Sequence, residues 1–327
     1  MAQQTNSSSE LSWPVDGMTV YGTLVRPSGP GPFPAVVMVA GSGPTDRDWN
    51  SPLIIGSNGS GRLLVEALAE GGIASLRYDK RASGPHAQEN VKSLVGKISM
   101  QSHVDELARA VRTLASQTDI DPSRIFALTN SEGALHALNY QVHDPALPFA
   151  GLVLTAPPGR PTGVVARSQV AAQGAGQPGG AELLAAYDEA IAHFVAGEPV
   201  EPDPSLPQGM QMLLHSLASP VNLPFARELW VADASAWLAQ VRVPVLIVIG
   251  KKDIQVDWQA DGEPLQRAAA GQDVTFVFPD NANHVLKYEP KPRAELGAEV
   301  AATYNAQEAR LDPEAVAAIR DWLAAHV

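Results

Sequence analysis

Residues 124–142, RIFALTNSEGALHALNYQV, place one serine in a very short turn between two regular elements. Residues 124–129 form an apolar run typical of a buried strand, and from Glu132 onward apolar side chains recur at helical spacing. Only Asn130 and Ser131 separate the predicted strand from the predicted helix, so the chain must turn sharply at the serine. Such a turn is typical of a nucleophile elbow, which holds a serine hydroxyl at the end of a sheet and beside the positive N-terminus of a helix.

The turn departs from the usual elbow pattern at one position. The usual pattern is Gly-x-Ser-x-Gly, whereas this chain has Thr129-Asn130-Ser131-Glu132-Gly133. Gly133 lets the new helix approach the neighbouring strands, but Thr129 brings a branched side chain where the first glycine usually lies. An alternative interpretation is a polar connection in which Ser131 or Asn130 only caps the helix. A nucleophilic role therefore requires a base and an acid elsewhere in the chain.

The composition argues against several classes of function. The chain has no cysteine, which excludes disulfides, thiol catalysis and thiolate metal sites. A formal net charge of −12 argues against nucleic acid as a partner. The eight histidines show no HExxH or HxH spacing, so we expect no metal site and no cofactor.

The sequence shows neither a membrane span nor a secretory signal. No apolar run approaches the roughly 18 residues that would predict a membrane-spanning helix. The N-terminus, MAQQTNSSSE, lacks the basic region and apolar core of a signal peptide, which predicts a cytoplasmic protein. Oligomeric state has no signal in the sequence.

The order of the predicted elements indicates an α/β fold. A hairpin around Asp16-Gly17 opens the chain, and apolar strands then alternate with amphipathic helices over short connections. This order predicts a mainly parallel central sheet with helices on both faces. The alternation lapses at residues 157–235, which are too long for a loop without structure of its own. The predicted divisions are a disordered tail at residues 1–10, a core at residues 11–156 and 236–327, and a helical cap at residues 157–235.

Two further strand ends carry groups that suit nucleophilic catalysis. Asp253 follows the apolar run at residues 245–249, and His284 follows the run at residues 274–278. Because the carboxyl ends of parallel strands share one edge of a sheet, we expect both near Ser131. In a catalytic triad, His284 would take the serine proton and Asp253 would orient the imidazole.

Each of these residues also has an ordinary structural interpretation. Asp253 could cap a helix, and Asp257 is a nearby competitor for the acid. His284 could simply be an exposed or hydrogen-bonded loop histidine. His136, on the helix after the elbow, is expected to be packed or hydrogen-bonded rather than catalytic. The order Ser…Asp…His at three strand ends favours the triad over the separate alternatives.

The glycine-rich loop after residues 35–40 is a candidate second half of an oxyanion site. Acyl transfer needs N–H donors for the tetrahedral oxyanion, and the backbone amides of Ser42 and Glu132 are the candidates. A phosphate-binding loop is the alternative, but GSGPTDRD has neither the Walker lysine pattern nor GxGxxG. The charged residues at positions 46–48 are expected to brace this loop through ion pairs.

Four residues of the predicted cap are candidates for a substrate pocket. Met210, Leu213, Leu214 and His215 lie within one helical segment. They would line an apolar pocket if the segment covers the site. At helical spacing they could equally form only the core of the cap.

These stretches together resemble the α/β-hydrolase superfamily, and within it the bacterial EstD-like esterase branch. The matching strings are spread over roughly residues 14–327: VVMVAGSGPTDRD, LAEGGIASLRYDKR, NSEGALHALNYQ, VPVLIVIGKKDIQVD and NANHVLKYE. The resemblance implies Ser131 as nucleophile, Asp253 as acid and His284 as base. It also implies an oxyanion hole at the Ser42 and Glu132 amides, hydrolysis of carboxylic esters without a cofactor, and a helical cap between the sixth and seventh strands.

The predicted function is therefore a serine carboxylesterase acting on a small-molecule ester through an acyl-enzyme. Lactone hydrolysis and carbon–carbon bond hydrolysis stay open as alternatives because the same triad serves them. A catalytically silent protein that binds a ligand in the capped pocket is the alternative outside the enzymes. The sequence does not identify the ester.

Overall fold

The strands of the chain form one mostly parallel sheet. The structure is a computed structural model that describes residues 6–52, 56–297, 304 and 309–327. In chain order the strands are β1 (Ser7–Val15), β2 (Met18–Arg26), β3 (Phe33–Val39), β4 (Ala74–Tyr78), β5 (Ile120–Asn130), β6 (Leu152–Thr155), β7 (Val245–Val248) and β8 (Val274–Val277). Within the described residues they form an eight-stranded sheet in the order β1-β2-β4-β3-β5-β6-β7-β8. Both pairings of β2 are antiparallel and the others are parallel, which confirms the predicted sheet.

Helices cover both faces of this sheet. They are α1 (Ser60–Glu70), α2 (Ala87–Leu94), α3 (Met100–Ala115), α4 (Gly133–Val142), α5 (Thr162–Gly174), α6 (Gly180–Ala196), α7 (Gln208–Ala218), α8 (Phe225–Val231), α9 (Ala234–Leu238), α10 (Gly262–Ala268) and α11 (Pro313–His326). Helices α1 and α11 pack on one face, and α3, α4, α9 and α10 pack on the other. No helix in the described part of the chain is long and apolar enough to cross a membrane.

The central strand β3 shows why the sheet is buried on both faces. Its side chains alternate between the two layers: Val36 and Met38 belong to the core under α1 and α11. Val37 and Val39 belong to the core under α3 and α4. An uninterrupted apolar run is therefore what this position in a parallel sheet requires.

The N-terminal hairpin corrects part of the predicted disordered tail. Asp16 and Gly17 have φ angles of 49° and 80°, the left-handed values that a two-residue hairpin turn needs. Strand β1 begins at Ser7, so residues 7–10 pair with β2 instead of being disordered. Their polar side chains give no apolar signal, yet Thr23 donates a 2.6 Å hydrogen bond to Glu10 and holds the strand in place. Residues 1–5 of the predicted tail lie outside the described residues.

The segment between β6 and β7 is helical and has its own core. Residues 157–235, called the helical insertion below, contain α5 to α8 and the start of α9. Tyr187, Phe194 and Trp230 are buried together in a cluster separate from the two faces of the sheet. Outside the insertion, the short helix α2 lies between β4 and α3 and buries Asn90 and Leu94.

Candidate active site

Ser131 lies in a strained turn between β5 and α4. Its φ angle is 53°, a value that non-glycine residues rarely adopt, and its N–H donates to the Thr155 carbonyl over 2.9 Å. A Cβ at Gly133 would lie 2.5 Å from the Val39 carbonyl oxygen, so only glycine fits where α4 meets the end of β3. Thr129 takes the place of the usual first glycine; its side chain is fully buried in β5, and its hydroxyl donates to the Val153 carbonyl oxygen over 3.4 Å. The predicted strand, turn and helix are therefore present.

His284 and Asp253 form a buried hydrogen-bonded pair. The His284 Nδ1 lies 2.8 Å from the Asp253 Oδ2. An ionised carboxylate only accepts hydrogen bonds, so Nδ1 is the donor of this pair, and in a neutral imidazole the other ring nitrogen, Nε2, then has a free lone pair. The second carboxylate oxygen, Oδ1, accepts the backbone N–H groups of Gln255 and Val256 at 2.8 and 3.0 Å. These bonds fix the orientation of the imidazole.

Asn130 joins the serine turn to the histidine loop. Its side-chain amide donates to the His284 carbonyl oxygen over 3.0 Å and to the Thr155 hydroxyl over 3.3 Å. Asn130 is only 4% exposed, so both bonds are shielded from water. This residue directly precedes Ser131, and no pattern in the sequence assigns it this contact.

Ser131 and His284 line the same cavity at the carboxyl edge of the sheet. The cavity has a volume of about 170 Å³. Its other lining residues are mostly small or polar: Gly41, Ser42, Thr45, Trp49, Ser51, Asn58, Asn130, Gln255, Val285 and Tyr304. A Cβ at Gly41 would lie 3.3 Å from the Ser131 Cβ, so the loop after β3 directly adjoins the serine.

Two backbone N–H groups beside Ser131 are free to act as donors. Among the described residues, the N–H groups of Ser42 and Glu132 have no hydrogen-bond acceptor. The first belongs to the loop after β3, and the second lies at the N-terminus of α4, where helix N–H groups have no partner within the helix. An anionic oxygen bound to Ser131 would find donors there.

The fold and the position of these residues agree with a comparison of the chain with known protein families. Residues 36–298 match the model described as the alpha/beta hydrolase family. The chain belongs to the alpha/beta hydrolase family. It is similar to Esterase EstD of Thermotoga maritima, at 26% identity over 266 residues that cover 81% of this chain and 57% of EstD. The chain thus spans little more than half the length of that relative.

Solved structures show the same hydrolase fold. Proline iminopeptidase of Mycobacterium smegmatis superposes with a TM-score of 0.57 at 16% identity, covering 97% of this chain and 98% of that one. Est1E of Butyrivibrio proteoclasticus gives a TM-score of 0.54 at 14% identity, with coverages of 97% and 98%. At these identities the likeness concerns the fold.

Buried charges lie directly behind the hydrolase elbow. The Glu132 carboxylate is 3.4 Å from the Lys80 ammonium and 3.2 Å from the His136 Nε2. Burial opposes ionisation of Glu132, but Lys80 and His136 outweigh it and lower the pKa of the carboxyl. Burial lowers the pKa of His136 to about 4, only partly offset by the hydrogen bond to Glu132. His136 is thus packed and hydrogen-bonded, as expected.

The charged residues after β3 hold the loop to its neighbours. Arg47 forms a two-pronged pair with Asp79, at 2.9 Å from Nε and 2.7 Å from Nη2. Asp48 pairs with Arg77 on the adjacent strand β4. These contacts confirm the expected bracing role. Asp257, the competing candidate for the acid, instead pairs with Arg293 at 2.6 Å.

The structure does not bring the four predicted pocket residues of the helical insertion to the cavity of Ser131. Met210 and Leu214 are buried in the cluster of the insertion itself. Leu213 is 41% exposed, and His215 is exposed as well. Met210 and Leu213 line a different cavity, of about 490 Å³, between α5, α6 and α7. Their helical spacing correctly indicated an apolar face, but that face packs on the other helices of the insertion.

Proposed function

We propose that this protein is a serine hydrolase that cleaves carboxylic esters through an acyl-enzyme, with Ser131, His284 and Asp253 as its triad. The observation that carries the proposal is the buried His284–Asp253 pair, whose imidazole shares a cavity with the strained Ser131. Membership of the alpha/beta hydrolase family and the similarity to Esterase EstD support the reaction class.

The proposed reaction begins with proton transfer from Ser131 to His284. The Nε2 of His284 accepts the hydroxyl proton as Oγ attacks the ester carbonyl carbon, and Asp253 stabilises the imidazolium. The carbonyl oxygen becomes an anion that the N–H groups of Ser42 and Glu132 bind. Collapse of this intermediate expels the alcohol, which takes the proton from His284. A water molecule, deprotonated by His284, then releases the carboxylic acid and restores Ser131.

The surroundings of the cavity support a small-molecule ester as substrate. The mostly small or polar lining residues and the volume of about 170 Å³ fit a compact ester group. Apart from the hydrolytic water, the proposed steps use only groups of this chain, so the proposed reaction requires no metal and no cofactor. The helical insertion is proposed to act as a cap at this edge of the sheet, since it follows β6 directly. A cytoplasmic location stays a prediction from the sequence.

The decisive experiment removes the Ser131 hydroxyl. Ser131→Ala should lower kcat for p-nitrophenyl acetate by at least about 10⁴-fold and abolish labelling by a fluorophosphonate, with an unchanged circular dichroism spectrum. Ser116→Ala is the matched control, because Ser116 is an exposed serine at the end of α3 and should behave as wild type. A folded Ser131→Ala variant with more than about a tenth of wild-type kcat would refute the proposal.

A further inference from the structure

Lys80 is a buried cation that follows β4 and points at the elbow. It is only 4% exposed. Its ammonium donates to the carbonyl oxygen of Gly41 and lies 3.4 Å from the Glu132 carboxylate. A buried ammonium is costly unless it is paired and hydrogen-bonded, and both partners of Lys80 lie beside Ser131. The reaction proposed above assigns Lys80 no role.

The contact with Gly41 fixes the direction of a neighbouring N–H group. Gly41 and Ser42 share one trans peptide, in which the C=O and the N–H point to opposite sides. Since Lys80 holds the C=O side, the Ser42 N–H is directed away from it. Gly41 adjoins Ser131, both Gly41 and Ser42 line the cavity, and the Ser42 N–H has no acceptor among the described residues. The ammonium therefore sets the peptide with its N–H available to the cavity.

The contact between Lys80 and Glu132 reduces the negative charge next to Ser131. A buried carboxylate beside the serine would repel the negative charge that develops on the substrate oxygen. The Glu132 side chain is within 3.4 Å of the Lys80 ammonium, which compensates that charge locally. Lys80 thus contacts Gly41, whose carbonyl shares a peptide with the Ser42 N–H, and it also contacts Glu132. The N–H groups of Ser42 and Glu132 are the two that the proposed reaction assigns to the oxyanion.

We propose that Lys80 is a positioning residue for the oxyanion site, holding the Gly41–Ser42 peptide in its donating orientation and neutralising the Glu132 carboxylate. The inference rests on the proposed function, because it presupposes an anionic intermediate on Ser131. Lys80 itself does not touch the substrate in this scheme. Its effect should therefore fall on transition-state binding and leave ground-state binding nearly unchanged.

The test compares Lys80→Met with the wild-type protein on p-nitrophenyl acetate. Methionine has a similar shape but carries no charge and no donor. We expect kcat to fall about 10²-fold, the usual effect of losing one oxyanion donor, while KM changes less than about threefold. Affinity for an alkyl trifluoromethyl ketone, which forms an anionic adduct with serine, should fall by a factor similar to that for kcat/KM.

The matched control is Lys287→Met. Lys287 is also buried, at 3% exposure, and its ammonium also donates to a backbone carbonyl, that of Ala309 at 2.9 Å. This variant should keep kcat within about threefold of wild type, because its carbonyl partner is not part of the oxyanion site. If Lys287→Met lost as much kcat as Lys80→Met, the loss would follow from removing any buried ammonium, and this result would overturn the inference.

A second variant covers the case in which Lys80→Met does not fold. Lys80→Gln keeps an N–H donor near Gly41 without the charge, and it should lose less activity than Lys80→Met but bind the ketone more weakly than wild type. Wild-type kcat and ketone affinity in a folded Lys80→Gln or Lys80→Met, together with an inactive Ser131→Ala, would overturn the role of Lys80 alone. An active Ser131→Ala would overturn the proposed function itself.

Discussion

Asp253 illustrates how much of the site depends on the partners of a single side chain. It is fully buried, and each of its carboxylate oxygens accepts at least one N–H. Removing its charge while keeping its shape should leave the backbone turn intact. The substitution would then affect the reactivity of Ser131 only by changing which nitrogen of His284 carries the proton.

The variant Asp253→Asn tests this dependence. An amide N–H facing His284 would force Nδ1 to accept, so Nε2 would carry the proton and could not take one from Ser131. We expect kcat for p-nitrophenyl acetate to fall by about 10³- to 10⁴-fold with little change in melting temperature. Asp257→Asn serves as the control and should retain activity, since Asp257 pairs with Arg293. A larger loss in Asp257→Asn would reverse the choice of acid.

The candidate catalytic residues at the strand ends could be predicted from the sequence. The residues whose hydrogen bonds connect the loops around them could not. Ser131, Asp253 and His284 each follow an apolar run, and parallel strands must bring such ends to one edge. Asn130 and Lys80 act through contacts between residues 154 and 39 positions apart in the chain. Such contacts depend on the packed loops, and no local pattern encodes them.

At the scale of elements, the helical insertion separates what periodicity can predict from what it cannot. The spacing of Met210 and Leu214 correctly gave α7 a buried face. The spacing could not predict which element packs against that face, because an apolar stripe packs equally well on a sheet edge or on another helix. The short α2 gives little periodic signal for a different reason, because only Asn90 and Leu94 of that helix are buried.

A substitution in the helical insertion and one in the cavity of Ser131 should therefore differ in their effect on the preference for short or long acyl chains of the ester. Leu213→Trp enlarges a half-exposed residue outside the cavity of Ser131, so the ratio of kcat/KM for p-nitrophenyl acetate and octanoate should stay within about twofold of wild type. Val285→Phe enlarges a residue that lines that cavity and should reduce activity on octanoate about tenfold more than on acetate. A changed ratio in Leu213→Trp would restore the predicted pocket role.

At the scale of the whole molecule, a layer of buried charges joins the sheet to the helices around the site. Glu106 is fully buried, and its carboxylate contacts both Arg81 and His103. His103 stacks on His136, with ring centres 4.6 Å apart. Phe225 of α8 packs against both rings, so the layer also contacts the helical insertion.

The buried His136 should make stability depend on pH in a defined window. Its pKa is about 4 in the folded protein against 6.5 in the unfolded chain, so between these values the unfolded state binds more protons. Stability should fall as the pH drops through this window, and His136 should contribute a loss of about 2 kcal/mol between pH 7 and pH 5. Urea unfolding of wild type and His136→Gln at both pH values measures this contribution.

The exposed His215 provides the comparison for that measurement. His215→Gln should show the same pH dependence as wild type, because its side chain is in contact with solvent in the folded protein. His136→Gln should lose about 2 kcal/mol less than wild type over the same interval. An identical loss in wild type and His136→Gln would show that the pH dependence comes from other groups.

A hydrogen bond joins the two ends of the helical insertion. The hydroxyl of Ser235 donates to the carbonyl oxygen of Gly159 over 2.6 Å, although 76 positions separate the two residues. A segment that leaves and re-enters a domain at one point can be replaced without moving the strands on either side. The junction is therefore a suitable crossover point for a chimaera that exchanges residues 160–234 with those of another hydrolase, provided that the contacts of Phe225 with His103 and His136 are kept.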